Sequence, residues 1–387
     1  MRRLLNPFVL VFSAVIAGGY AYAAWRLTAP DLGRALLALP FVLVWLVPVV
    51  YWVGNRDNHS RADDLLHAAS YLSMGWLTYV LLLCTLRDAL LLLSSALAPV
   101  AHQAIAAAGA AAVFWGATAA LALGALAALR GPHVRHVNVP IEALPPELDG
   151  YRIAQISDLH VGPTIGAAYV RRVVEISNAL APDLVALTGD LVDGSVPRLR
   201  NAVAPLAELV SRDGAYVALG NHDYYSGARA WVAHFEQLGL TVLCNEHRLV
   251  NRGAARLVVG GVVDPAARMD RPPQAPHPHL AAAPQAGRAV RLLLAHNPKL
   301  APLGAQAGFD LQLSGHTHAG QFFPWTLAVR LVHAPHVTGL SKQDRMWVYV
   351  SAGTGTWGPP VRLGTRPELT LVRLVAAAEP STDASPR

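Results

Sequence analysis

The chain has 387 residues, 53% of them hydrophobic and only 14% charged, with a mean hydropathy of +0.34. Soluble domains carry about 25% charged residues, so this composition excludes a disordered or collagen-like chain and argues against a wholly soluble globule. The formal net charge of +6 comes almost entirely from arginine, since Lys299 and Lys342 are the only lysines, and no Lys/Arg block of the nucleic-acid type is present.

Four stretches lack any charged residue: Phe8 to Trp25, Ala35 to Val53, Ala68 to Leu86 and Ala104 to Leu129. Each is long enough to cross a hydrocarbon layer of about 30 Å as a helix. In lipid the backbone must bond to itself, so helices are the expected form. Residues 1–130 therefore read as an all-α transmembrane region with helices at 8–25, 35–53, 68–86 and 104–129. Pro40 and Pro48 would kink the second helix. The fourth is mostly Ala and Gly, which lets helices approach closely. Arg87-Asp88 follows the third run and has two readings: a pair at the membrane interface with Arg87 snorkelling, or an intramembrane ion pair with a role of its own.

Arginines set the expected orientation. Arg2 and Arg3 precede the first helix, Arg56 and Arg61 lie between the second and third, and Arg130 and Arg135 follow the fourth, whereas the opposite loops carry Arg26 and Arg34 and, beyond the Arg87-Asp88 pair, no other Lys or Arg. That excess favours both ends lying in the cytoplasm. Arg2-Arg3, the apolar run and Ala21-Tyr22-Ala23 also admit a cleavable signal peptide. Its removal would leave three spans and the same sidedness. Cys84 lies in an apolar run and Cys244 far from it, so no disulfide framework is implied.

After Leu129 the texture changes. Gly131-Pro132, Pro140 and Pro145-Pro146 mark a linker over 131–150. Short β-branched runs then alternate with helical patterns. Strands are expected at Arg152–Ser157, Leu184–Thr188, Tyr216–Leu219, Arg256–Gly260, Val290–Ala295, Leu311–Leu313, Met346–Ser351 and Glu368–Arg373. Helices are expected near Ala167–Leu180, Arg198–Ser211 and Ala228–Leu238. This is an α/β domain over 151–375, with a mobile Pro- and Ala-rich insertion at Asp264–Arg288 and a disordered tail at 376–387.

Side chains able to bind metal gather at the predicted strand ends. They are Asp158 and His160 in Ser-Asp-Leu-His, Asp190 in Thr-Gly-Asp, Asn221, His222 and Asp223 in Gly-Asn-His-Asp, His296 in His-Asn-Pro, and His316 and His318 in Gly-His-Thr-His-Ala-Gly-Gln. In Asp158-x-His160 and His316-x-His318, an extended chain would put both side chains on one side. Gly189, Gly220 and Gly315 precede ligand candidates and permit tight turns and close backbone approach. Carboxylates, imidazoles and an amide without a thiolate suit Mn, Fe or Zn in hydrolysis.

This ordered series of five blocks resembles the calcineurin-like metallophosphoesterase superfamily, over about Arg152 to Leu374. It is most similar to the bacterial membrane-attached branch, on the strength of Gly-His-Thr-His-Ala-Gly-Gln and the segment from Gly353 to Arg362. The resemblance implies a two-sheet β-sandwich flanked by helices. It also implies two divalent metal ions, one held by Asp158, His160, Asp190 and His318 and the other by Asp190, Asn221, His296 and His316. Hydrolysis of a phosphate ester or pyrophosphate would then proceed by in-line attack of a metal-bridging hydroxide, with His222 as general acid and Asp223 holding its tautomer. The expected substrate is a phosphate-containing small molecule or lipid, with a lipid-linked one leading, and the expected neighbour is the membrane; no nucleic-acid partner is expected.

Other histidines read differently. His277 and His279 belong to a solvated Pro-rich loop, His133 and His136 to the interface, and His333 and His336 are candidates for lining the cleft. Arg362 could pair with a substrate phosphate. Two other functional classes are conceivable. One is a membrane sensor or transporter coupled to a cyclic-nucleotide or other phosphodiesterase domain, motivated by Arg87-Asp88. The other is an inactive metal-bearing scaffold, against which intact His222 and Asp223 argue.

Overall fold

The computed structural model describes residues 7–27, 31–53 and 60–377. Arg2, Arg3 and Arg56 of the orientation count, and the tail from 378 onward, lie outside the described residues. The chain divides into two units: Met1–Leu129 together with Gly358–Leu363, and Arg130–Trp357 together with Gly364–Arg387.

The first unit contains α1 (Pro7–Leu27), α2 (Asp31–Val47), which runs on into a π-helical turn at Pro48–Val53, α3 (Arg61–Leu97) and α4 (Pro99–Leu129). All four helices are long and apolar enough to cross a membrane. Apolar side chains such as Leu10, Val11, Leu36 and Leu92 stand exposed on them, as lipid-facing side chains do. Pro40 sits inside α2 without ending it. The third helix is longer than expected. Ser60 and Asp63 form a capping box at its start, and it continues through Arg87-Asp88 to Leu97 because Asp88 finds partners on α1. Arg26 Nε lies 2.9 Å from Asp88 Oδ2, and the Tyr22 hydroxyl donates to the same oxygen at 2.8 Å. Arg87 donates to the Arg26 carbonyl at 3.3 Å. The pair therefore ties α3 to α1. Gly358–Leu363 folds with these helices. The Arg362 amide donates to Gly124 O at 2.8 Å, and a Cβ at Gly124 would collide with Val361 Cγ1. Arg362 is thus buried against α4, which gives no support to its reading as a phosphate partner.

The second unit holds two six-stranded sheets. The first is built from β1 (His133–Ile141), β2 (Arg152–Ile156), β3 (Leu184–Leu187), β4 (Ala215–Val217), β5 (Thr241–Val242) and the last strand, β12 (Glu368–Ala376). The second is built from β6 (Glu246–Arg252), β7 (Ala255–Gly261), β8 (Val290–Leu294), β9 (Leu311–Ser314), β10 (Gly339–Gln343) and β11 (Met346–Val350). Their orders are β1-β12-β2-β3-β4-β5 and β10-β11-β9-β8-β7-β6. Strands β2 to β5 are mutually parallel, as are β7, β8, β9 and β11.

Alternation along the strands builds the layers. Ile153, Leu184 and Ala186 point into a core shared with Leu257, Leu292, Leu294, Leu311 and Leu313 of the other sheet. Ala154, Ile156, Val185 and Leu187 point the other way, onto α5 (Ala167–Ala179), α6 (Val196–Val203) and α8 (Ala228–Gln237), through Val170, Val173, Leu199, Trp231 and Phe235. On the far face of the second sheet, Leu293, Val348 and Val350 meet α9 (Pro278–Ala281) and α10 (Ala301–Gln306) through Ala281 and Ala301. Full burial of each such aliphatic side chain contributes about 1.5–3 kcal/mol. Two short helices lie near the strand ends: α7 (Asn221–Tyr225) and α11 (Trp325–His333).

Two expectations need correction. The stretch 131–150, read as a linker, contains β1, which pairs in parallel with β12 from His133↔Glu368 to Ile141↔Ala376. Pro140 misled the reading, yet proline is tolerated on an edge strand, and β1 is an edge. The insertion Asp264–Arg288 is packed rather than free: it forms 3-10 turns at Pro265–Met269 and Pro284–Ala286 around α9, and Ala281, Ala282 and Ala283 are buried.

Candidate metal centre

Every sequence-predicted ligand follows the carboxyl end of a parallel strand: Asp158 and His160 after β2, Asp190 after β3, Asn221 and His222 after β4, His296 after β8, and His316 and His318 after β9. Loops at one edge of two sheets can bring such residues together, as ligand-binding loops do in α/β folds. Asp158, His160 and His318 place ligand atoms within 4.8 Å of one another, and so do Asp190, His296 and His316. Between the groups, His160 Nε2 lies 3.8 Å from Asp190 Oδ2. Asn221 joins the second group, its Oδ1 being 2.9 Å from His316 Nδ1.

The backbone that achieves this is not extended. Asp158, His160, Asp190, His316 and His318 all have left-handed φ, between 49° and 73°. For non-glycine residues that costs of order 1–3 kcal/mol each, and it persists only where surrounding structure enforces it. The twist, rather than strand alternation, turns the paired side chains toward a common point. Glycines make room. A Cβ at Gly220 would strike Asp190 Oδ1, and one at Gly315 would strike Ser157 Oγ and Asp158 Oδ2.

Hydrogen bonds aim the ligand atoms. The His296 Nδ1–H donates to Thr188 O at 2.8 Å, leaving Nε2 to face Asp190 Oδ2 at 3.1 Å. The amides of His316 and His222 donate to Asp158 Oδ1 and Asp190 Oδ1, each at 2.8 Å. His160 Nδ1 sits 3.1 Å from both oxygens of Asp193, which turns its Nε2 toward His318 Nε2 at 3.0 Å. Such outer partners orient ligands and fix tautomers at metal sites.

Asp193 was missed by sequence reading. It also accepts from His222 Nδ1 at 2.7 Å, the task expected of Asp223. The correction has a local cause. Asp223 occupies the third position of α7, so its carboxylate folds back to accept the Gly220 amide at 2.8 Å, as a capping-box residue does. It also accepts from Leu191 and Val192, so it fixes the loops instead of touching the His222 ring. Only the Asp190-x-x-Asp193 spacing could have pointed to Asp193, and that spacing reads equally as a turn. Tyr225 and Trp357 stack edge-on against His222, with ring centroids 5.4 and 5.7 Å away. His333 packs its ring against His316 at 5.3 Å, whereas His336 bonds to Ser341 and Gln343.

The electrostatics are those of a cation trap. Burial opposes ionisation of Asp190, yet His296 holds its carboxyl far below the usual range. Burial likewise opposes a charge on His160, but Asp193 raises it to about 9. His296 is raised in the same manner by Asp190. Burial, reinforced by the Asp190 charge, pushes Asp223 up to about 7, and burial with His296 pushes His316 down to about 3. Buried carboxylates here demand positive charge, which a divalent ion supplies better than scattered protons. Asp158 Oδ2 is buried without a hydrogen-bond partner, and the Nε2 atoms of His160 and His318 face each other at 3.0 Å, close enough to share one cation. The residues fit a metal.

Fold and site together have the two-sheet architecture and the Asp/His clusters of the metallophosphoesterase class. The profile described as Calcineurin-like phosphoesterase matches residues 151–320. The chain is 39% identical over 269 residues to "Transmembrane protein with metallophosphoesterase domain" of Danio rerio, covering 67% of this chain and 61% of that protein. It is 31% identical to a metallophosphoesterase of Aquifex aeolicus over 62% of this chain and 91% of the relative. For Phosphodiesterase YaeI of Escherichia coli the figures are 30%, 58% and 82%. The matches to the vertebrate relatives span about 60% of their length. The chain belongs to the calcineurin-like phosphoesterase family, and its catalytic-type unit is preceded by four helices long and apolar enough to cross a membrane.

Proposed function

We propose that this chain hydrolyses a phosphate ester or pyrophosphate with two divalent cations of the Mn, Fe or Zn type. Asp158, His160, Asp190 and His318 would hold one and Asp190, Asn221, His296 and His316 the other, with Asp190 bridging. The observation that carries this is the pair of Asp/His groups, each with ligand atoms within 4.8 Å, in one buried pocket. Bound there, such cations would supply Lewis acidity and would lower the pKa of a nucleophilic water.

The chain's own residues do the rest. His222, part-exposed at the rim, gives its Nδ1–H to Asp193, which orients the ring and leaves Nε2 to protonate the departing oxygen. The Asn221 side chain, beside His316 at 2.9 Å, would have its amide nitrogen left for a phosphoryl oxygen. Tyr225 and Trp357 lie edge-on against His222, so they would border a leaving group that takes its proton from that ring. Asp223 holds the α7 turn that presents Asn221 and His222.

The substrate we favour is lipid-linked, because the catalytic unit is carried on membrane helices. We place the chain in the bacterial membrane-attached branch, in the inner membrane with its catalytic unit cytoplasmic, as the arginine distribution favours. The transmembrane domain would span 1–130 and the catalytic domain would begin with β1. The test is a panel of lipid and nucleotide phosphoesters, together with bis-p-nitrophenyl phosphate, given to the detergent-solubilised full-length protein with Mn²⁺. Hydrolysis by the parent chain and its loss in Asn221→Ala and Asp190→Ala are expected. Undiminished activity in Asp190→Ala would refute the assignment.

A further inference from the structure

Helix α11 is amphipathic the wrong way round for a helix facing water. At about 100° per residue, Leu327, Leu331, Ala328, Val332 and Trp325 form one continuous apolar arc. Thr326 and His333 lie on the opposite side, and His333 turns inward to the His316 ring. The apolar arc is the exposed one. Leu331 is 90% exposed, and Trp325, Leu327, Val332 and the preceding Phe323 are exposed too, while no residue of the helix is buried. Ordinary surface helices hide such an arc, and a contiguous exposed one marks an interaction site.

Charge says what covers it. Between Asp310 and Asp344 the chain contains no acidic residue, while Arg330 and Lys342 are basic. Arg330 flanks the apolar arc. An apolar face with aromatic residues at its start and a cationic border suits the interfacial layer of a bilayer bearing anionic headgroups. The chain that carries α11 also carries four helices long and apolar enough to cross such a bilayer.

We infer that Phe323 and α11 form a membrane-interface element that beds into the headgroup region. Through the His333–His316 contact, this element sets the metal centre at the level where a lipid-anchored phosphoester presents its phosphorus. The inference rests on the phosphohydrolase reading for its meaning but not for its test.

The experiment uses the full-length chain in nanodiscs of phosphatidylcholine and phosphatidylglycerol, with Cys84→Ala and Cys244→Ala as background. An environment-sensitive fluorophore is placed on Leu331→Cys and, as a water-exposed reference, on Arg171→Cys. At Leu331 we expect blue-shifted emission, quenching by a lipid with a spin label high on its acyl chain, and little quenching by aqueous iodide. The reference should show the reverse. Iodide quenching at Leu331 equal to the reference overturns the inference. So does protection that is the same in detergent micelles and indifferent to the spin-labelled lipid, since a second protein copy would then cover the helix. Hydrolysis of soluble bis-p-nitrophenyl phosphate is measured on the same samples. Its absence would count against the phosphohydrolase reading and leave the quenching result to decide the membrane contact.

Discussion

His222 presents Nδ1 to Asp193 at 2.7 Å, and this contact decides how the ring can act. As a general acid its value depends on the leaving group. His222→Ala should lower kcat about 10²–10⁴-fold for an alkyl phosphoester but far less for a p-nitrophenyl ester, whose leaving group needs no proton. Equal losses on both, read from steady-state kinetics, would remove the acid role. Asp193→Asn weakens the grip on both His222 and His160, and a fall of about 10–100-fold in activity or metal affinity is expected, the usual range for an outer partner of a metal ligand. Cys244 offers a check remote from the site. Burial, with smaller contributions from Glu246 and Glu236, pushes its thiol up to about 11. Only the thiolate is nucleophilic, and at pH 8 only about a thousandth of Cys244 is in that form. Alkylation by iodoacetamide should therefore be far slower than for a free thiol and should accelerate with rising pH. At this scale the ligands were legible because each sits in a short motif at a strand end. The roles of Asp193 and Asp223 were not, because only the geometry of α7 decides which carboxylate meets the ring.

Asp88 ties α3 to α1 by an ion pair with Arg26 and by accepting from Tyr22, a structural use of the one charged pair inside a long apolar helix. Asp88→Ala leaves Arg26 without its carboxylate and Tyr22 without its acceptor. A loss of about 1–3 kcal/mol in helical-unit stability follows, visible as a lower melting temperature in detergent, while hydrolysis of soluble esters is retained. Loss of that hydrolysis with unchanged melting would instead favour a coupled sensor or transporter. The helices were visible in sequence as uncharged runs, but the length of α3 was not, since Arg87-Asp88 looks like an end until a partner is found on another helix. Strand β1 was hidden for a similar reason. Its sequence, with His133, Arg135, His136 and Pro140, resembles a linker, and its pairing partner β12 begins more than two hundred residues later.

The whole molecule joins membrane helices to a two-sheet domain whose strand ends converge on one polar pocket. Ligands must be deprotonated to bind metal, so loading should release protons and weaken as pH falls. Removing metal with a chelator should abolish hydrolysis and lower the unfolding temperature of the catalytic unit, because ions that bind only the folded state stabilise it. The most direct test is elemental analysis of the full-length protein after Mn²⁺ reloading and removal of free ion, set beside Asp190→Ala purified in parallel. The account predicts about two equivalents per parent chain and a marked deficit in the variant, with both proteins still folded. A parent chain that retains no metal, or a variant that holds the full complement, would contradict it.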